Sequence, residues 1–120
     1  MLVSVVIPAR NDAEMLATCL TALAQQTGLP DSVEVEIVVV DNGSTDATAQ
    51  VAHDGGARVI TEPVPGIPQA ASAGYDAARG ELIARIDADS VCPPGWLASV
   101  AFSPKSGQRR HELRAARHRP

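Results

Sequence analysis

Two carboxylates one residue apart, Asp87 and Asp89, follow an apolar run that ends at Ile86. Hard oxygen donors held that close bind Mg²⁺ or Mn²⁺ and leave coordination positions for diphosphate oxygens and water. A cation so placed neutralises charge on a departing nucleoside diphosphate and lowers the barrier to breaking a sugar–phosphate bond. The competing reading makes either Asp a cap for the turn before Pro93 and Pro94. A third carboxylate, Asp41, ends the run Val38-Val39-Val40 and opens the polar stretch Asn42-Gly43-Ser44-Thr45-Asp46. There it can accept a charge-assisted hydrogen bond from a base N–H, or close an Asx-type turn within its own loop. Asp46 is expected in a first helical turn, where its charge favours the helix dipole and its role is structural.

These residues need elements that bring them together. Residues 2–8 are a continuous β-branched apolar run, the pattern of a strand covered on both faces in a parallel sheet. Asn11 or Asp12 can cap a helix whose apolar positions Met15, Leu16, Cys19, Leu20 and Leu23 recur at helical spacing, with Gly28 and Pro30 ending it. Residues 35–40 read as a second strand, 45–53 as a helix stopped by Gly55-Gly56, and Val59-Ile60 as a short third strand. Residues 69–78 are Ala-rich and helix-compatible, and 82–86 form a fourth strand. Alternating strands and helices predict a Rossmann-like α/β domain with a mostly parallel sheet. Ligands of such sheets bind beyond the carboxyl ends of the strands, which is where Arg10, Asn11, Asp41, Asp87 and Asp89 fall.

Composition narrows the class further. The 120 residues are 45% hydrophobic and 20% charged with one Trp, one Tyr and one Phe, as expected for a soluble core of Val, Ile, Leu and Ala. The apolar runs are far too short to cross a bilayer, and Met1 leads into a strand without signal-peptide features. No membrane span and a cytoplasmic location are therefore expected, at the membrane's cytoplasmic face if a longer parent is membrane-associated. No nucleic-acid partner is expected. Cys19 and Cys92 lack metal spacing and read as ordinary thiols, and no pair among His53, His111 and His118 has ligand spacing. A Gly-x-Gly-x-x-Gly after the first strand and a phosphate-loop motif are both missing, which disfavours dinucleotide enzymes and phosphate-loop NTPases.

Charge divides the chain. Residues 1–104 hold 4 basic and 13 acidic residues, whereas 105–120 hold 6 basic and 1 acidic. Residues 103–120, with Leu113 as their one large aliphatic side chain, are expected to form a basic tail outside the core, solvated or disordered. The sharper expectation is a non-native tail created by a frameshift or truncation, which reading the coding DNA in three frames past codon 102 decides.

The blocks Val3-Ser4-Val5-Val6-Ile7-Pro8-Ala9-Arg10-Asn11, Val40-Asp41-Asn42-Gly43-Ser44-Thr45-Asp46, Gly80-Glu81, and Asp87-Ala88-Asp89 with Pro94-Gly95-Trp96-Leu97 occur in this order. Together they resemble the family 2 glycosyltransferases over about residues 2–101. The resemblance implies a GT-A fold over residues 1–102, a nucleotide-diphospho-sugar donor often linked to UDP or GDP, a divalent cation (Mn²⁺ or Mg²⁺), and transfer with inversion. It implies that Pro8, Ala9 and Arg10 line the nucleotide, that Asp41 contacts the base, that Asp87 lies near the ribose and that Asp89 ligates the metal.

Two departures from the family pattern matter. Where many relatives carry Arg-Asn in a Gly-x-x-x-Ala-Arg-Asn-x-Gly segment, residues 66–74 supply Ala71 and Ser72. Arg10 or Arg85 could replace that diphosphate-facing cation, although Arg85 reads better as a strand residue paired with a carboxylate. The family's general base lies well beyond the Asp-x-Asp segment, and Glu112 is the one acid after Asp89, so no catalytic base is assigned. The alternative reading is a noncatalytic nucleotide-binding or interaction module left from a truncated enzyme. The acceptor is not indicated. Trp96 is read as packing the segment after Asp89, with stacking on a sugar as the alternative.

Overall fold

The computed structural model describes residues 1–102 and the strand formed by residues 111–114. β1 (Leu2–Ala9) explains the architecture, because its side chains alternate between two cores. Val3, Val5, Ile7 and Ala9 pack with Leu16, Cys19, Leu20 and Leu23 of α1 (Ala13–Ala24) and with Ala52 of α2 (Thr48–Asp54). Val6 points the other way, joining Val38 and Val40 of β2 (Glu34–Asp41) and Ala70 of α3 (Ile67–Ala77). A strand covered on both faces has no solvent side to mark with polar residues, which is why residues 2–8 form an unbroken apolar run.

β3 (Arg58–Thr61), β4 (Leu82–Arg85) and β5 (His111–Arg114) complete a sheet of order β3-β2-β1-β4-β5, and every neighbouring pair is parallel. The predicted α/β class and the four predicted strands are present. α2 begins at Thr48 rather than Thr45, because the Asp46 carboxylate accepts the Thr48 N–H at 3.0 Å and prolongs the turn. A short helix after the Asp pair, α4 (Trp96–Ala101), was not predicted; it buries Leu97 and half-buries Trp96 against the core, the packing role expected for that Trp. Nor was β5, which lies within the expected tail. Parallel pairing uses backbone N–H and C=O groups that nearly every residue supplies, so an edge strand needs no apolar run. The rest of the expected tail, residues 103–110 and 115–120, lies outside the described residues.

A polar lock ties the sheet together at the end away from the acidic cluster. Ser4 and Glu36 face each other in the β1–β2 register, and the Ser4 hydroxyl donates to Glu36 Oε2. The Arg79 N–H donates to the same oxygen at 2.7 Å, Arg58 Nη2 donates to Oε1 at 3.1 Å, and the Gly80 N–H donates to Ser4 Oγ at 2.8 Å. Partial burial pushes the Glu36 carboxyl pKa up, but the bonds from Ser4, Arg79 and Arg58 and the Arg58 charge outweigh it and leave the pKa below its ordinary 4.5. A depressed carboxylate stabilises the fold above its unfolded-state pKa, and that contribution is lost as pH falls through the lower native value. Urea titrations should therefore show the native chain losing stability more steeply between about pH 5 and pH 3 than Glu36→Gln; parallel curves would contradict the lock.

α3 approaches the sheet through Gly74. A Cβ there would collide with Val6 Cγ1 and come within 3.0 Å of Val40 Cγ2. Gly74→Ala should lower the urea midpoint, since overpacking costs about 1–3 kcal/mol and alanine recovers only about 1 kcal/mol of helix propensity.

Candidate functional site

Strand order places the chain's reversal of direction at the β1–β4 boundary, because β2 and β3 are added on one side of β1 and β4 on the other. That is where an open parallel sheet forms a crevice at its carboxyl edge. A cleft of about 270 Å³ lies there, walled by Pro8, Ala9 and Arg10 from the end of β1 and by Asp87, Ala88 and Asp89 from the end of β4. α1 adds Met15 to its wall, and α3 adds Ile67 and Ala70. Five of the six site residues expected from sequence thus meet around one cavity.

Asp41 is the sixth, and it stands apart from the lining residues. Its Oδ1 accepts the Ser44 N–H at 3.0 Å, the Asx-type turn that was the alternative reading of this residue. The adjacent Asn42 lines the cleft instead. Asn42 is buried, donates from Nδ2 to the carbonyls of Glu62 (2.7 Å) and Val64 (2.9 Å), and accepts the Gly66 N–H at 3.0 Å. It holds the segment that leads into α3, and hence Ile67 and Ala70, against the cleft. Gly66 sits at φ +126°, a conformation closed to other residues, so the start of α3 is fixed from both sides.

The Asp87–Asp89 turn closes through backbone, with the Ser90 N–H donating to the Asp87 carbonyl at 3.0 Å. Arg85 Nη2 lies 3.9 Å from Asp87 Oδ1 with the Arg85 side chain largely buried, as expected for a strand residue paired with a carboxylate. Arg10 is the exposed cation of the cleft wall. Ala71 is buried and Ser72 lines a separate groove with Gln69 and Asp76, so neither faces this cleft. Behind the turn, burial pushes the Cys19 and Cys92 thiols up to about 12 and about 11, with Cys92 and Asp89 adding to the rise at Cys19. Both are inert core thiols, as the sequence suggested.

A family model described as glycosyl transferase family 2 matches residues 4–103. The chain belongs to glycosyltransferase family 2. It is 37% identical over 118 residues to an uncharacterized glycosyltransferase of Mycobacterium tuberculosis, covering 98% of this chain and 49% of the relative. It is 36% identical to glycosyltransferase AglE of Haloferax volcanii, covering 79% of this chain and 33% of that protein. The chain thus spans about half the length, or less, of these relatives. Among solved structures, TarS 1-349 of Staphylococcus aureus superposes with TM-score 0.74 at 28% identity, covering 84% of this chain and 31% of that one. Glucosyl-3-phosphoglycerate synthase of M. tuberculosis, solved with Mn²⁺, UDP and glucosyl-3-phosphoglycerate, superposes with TM-score 0.69 at 28% identity, covering 89% and 40%. The fold is that of the GT-A glycosyltransferases.

Several cleft residues were not expected from the sequence. Asp12, expected as a possible helix cap, makes no side-chain cap bond; it lines the cleft, and its Oδ2 accepts the Arg10 N–H at 3.1 Å. Met15 was assigned to the α1 core but is 53% exposed and faces the cleft, since it lies at the edge of the apolar stripe made by Leu16, Cys19, Leu20 and Leu23. Ile67, 54% exposed, precedes the predicted helix and gave no periodic signal. Asn42 looked like one more polar turn residue; its buried role depends on Glu62, Val64 and Gly66, 20 to 24 positions away. Among the described residues no helix is long and apolar enough to cross a membrane.

Removing the Asn42 amide orphans three backbone groups at once. Asn42→Ala should destabilise the chain by about 1–3 kcal/mol and speed amide exchange at Gly66 relative to the sheet. Unchanged protection at Gly66 would show that the segment is held by something else.

Proposed function

We propose that this chain carries the donor-binding site of an inverting glycosyltransferase that uses a nucleotide-diphospho-sugar and a divalent cation. The observation that carries the reading is the composition of one cleft: Asp12, Asp87 and Asp89 stand on its wall with Arg10 as the opposing charge. Three carboxylates against one arginine make this wall unfavourable for a bare diphosphate, and an accompanying cation offsets that repulsion. The donor set suits Mn²⁺ or Mg²⁺. Asp87 and Asp89 supply hard oxygens, and no group of three or more His, Cys, Asp or Glu side chains among the described residues could cage a metal alone. Diphosphate oxygens and water then complete the shell, the habit of Mg²⁺-type sites. UDP-GlcNAc bound to TarS, and Mn²⁺ with UDP bound to the M. tuberculosis synthase, support this choice of ligand.

In this reading Asp89 ligates the cation and Asp87 lies toward the ribose. Pro8, Ala9 and Arg10 line the nucleotide, with Arg10 facing the diphosphate. Asp41 contacts the base through carboxylate capacity beyond the one bond to Ser44, since a carboxylate has about four acceptor sites. When bound, the divalent cation supplies charge neutralisation on the departing nucleoside diphosphate. At about 270 Å³ the cleft falls just below the usual range of ligand pockets, roughly 300–1,000 Å³, so it encloses part of a nucleotide-sugar.

Isothermal titration of the folded chain with UDP and GDP should show binding with Mn²⁺ that chelation abolishes. Asp89→Ala should weaken the metal-dependent part by about tenfold or more, the loss expected for one charged ligand. Absence of binding to both nucleotides, or equal affinity of the Asp89→Ala protein, would overturn the assignment.

A further inference from the structure

Within the loop that carries Arg10, the Arg10 N–H donates to Asp12 Oδ2 at 3.1 Å, but most of the bonds that set its shape cross to another loop. Asn11, which follows Arg10, has φ +51°, a left-handed conformation that asparagine tolerates better than most residues. The loop is stitched to the β2–α2 loop, more than thirty residues away. The Asn11 N–H donates to Ser44 Oγ at 2.9 Å, and Asn11 Oδ1 accepts the Thr45 N–H at 2.8 Å and the Thr45 hydroxyl at 3.3 Å. The Asp12 N–H donates to Thr48 Oγ1 at 3.0 Å, and the Ala13 N–H to Asp46 Oδ2 at 3.3 Å. Ser44 is also the residue whose N–H holds Asp41 Oδ1. One chain of hydrogen bonds therefore runs from the Asp41 carboxylate through Ser44 to Asn11, next to Arg10.

We propose that Asn11 is a positioning residue for the donor: with Ser44 and Thr45 it locks the β1–α1 and β2–α2 loops into one unit, so that Arg10 and Asp41 are set relative to each other before the nucleotide arrives. The proposal rests on the donor-binding reading above. Asn11 is absent from the cleft lining, so it acts through its neighbours. Its bonds join two exposed loops rather than filling a core, so their loss alters loop geometry more than global stability. A site whose supports are loosened loses affinity because the ligand must then order the loops itself.

The test compares two substitutions at Asn11 in the full chain, titrated with UDP and GDP in Mn²⁺ and melted in parallel. Asn11→Gly keeps the left-handed backbone and deletes the acceptor; it should weaken nucleotide binding by about tenfold, the loss expected for a pair of hydrogen bonds, with little change in melting temperature. Asn11→Asp keeps an acceptor in the same place and should bind within about twofold of the native chain. Native affinity in Asn11→Gly, a fall in melting temperature with affinity unchanged, or equal weakening by Asn11→Asp would each overturn the proposal. If Asn11→Gly does not fold, Ser44→Ala decides, since it removes the acceptor of the Asn11 N–H: weakened binding supports the lock and native binding overturns it. A native chain that binds neither nucleotide refutes the donor-binding reading, whereas a native chain that binds as tightly as its Asn11→Gly variant refutes the lock alone.

Discussion

β1 is hydrogen-bonded on both sides, with Ala9 opposite Asp41 in β2 and Val6 opposite Arg85 in β4. That register decides which residues emerge together at the carboxyl edge: Pro8 to Arg10, Asn42, and Asp87 to Asp89. Sliding β1 by one residue against either neighbour would exchange the faces of Val3, Val5 and Val6 and turn each core's side chains into the other. The burial of these valines on both faces therefore fixes the register far more firmly than the polar residues could. The Ser4–Glu36 pair adds a polar check, because only one register sets the hydroxyl opposite the carboxylate.

The charge at the cleft follows from the same geometry. Strand ends in a parallel sheet point one way, so carboxylates that follow β1 and β4 in the sequence must accumulate at one edge. Their repulsion is offset in part because Arg85 sits beside Asp87 and Arg10 is on the rim. The arrangement is also an electrostatic bias: the surplus of carboxylates over cations around the cavity disfavours a bare anion.

Much of this was legible in the residues themselves, for identifiable reasons. Residues 2–8, 35–40 and 82–86 announce buried parallel strands because nothing polar interrupts them, and the Asp pair after Ile86 is local, needing only a strand end to give it meaning. Distant partners are what pattern cannot supply. Asn42, Asn11 and Ser44 are all turn-forming types, and Ser44 does close a local turn with Asp41; the partners of the Asn42 side chain, and those that tie Asn11 to Ser44 and Thr45, lie 20 to 34 residues off. Met15 fits a helical stripe by spacing, yet the cleft side of α1 leaves it half-exposed. β5 left no trace because an edge strand is recruited through its backbone.

The polar stretch from Asp41 to Asp46 shows why type alone is a weak guide to role. Read in isolation, three side chains there could face a ligand. In the fold, Asp41 bonds to Ser44, Ser44 receives Asn11, Thr45 donates to Asn11, and Asp46 takes the N–H groups of Thr48 and Ala13, with its carboxyl pKa lowered chiefly by the Thr48 hydroxyl. The stretch spends its polarity on joining two loops. A cleft whose walls end in short loops needs such internal bonding more than it needs additional ligand contacts, because each loosened wall residue must be ordered again at the cost of binding energy. The motif that marks the site in the sequence is thus in large part a frame that joins the β2–α2 loop to the loop carrying Arg10.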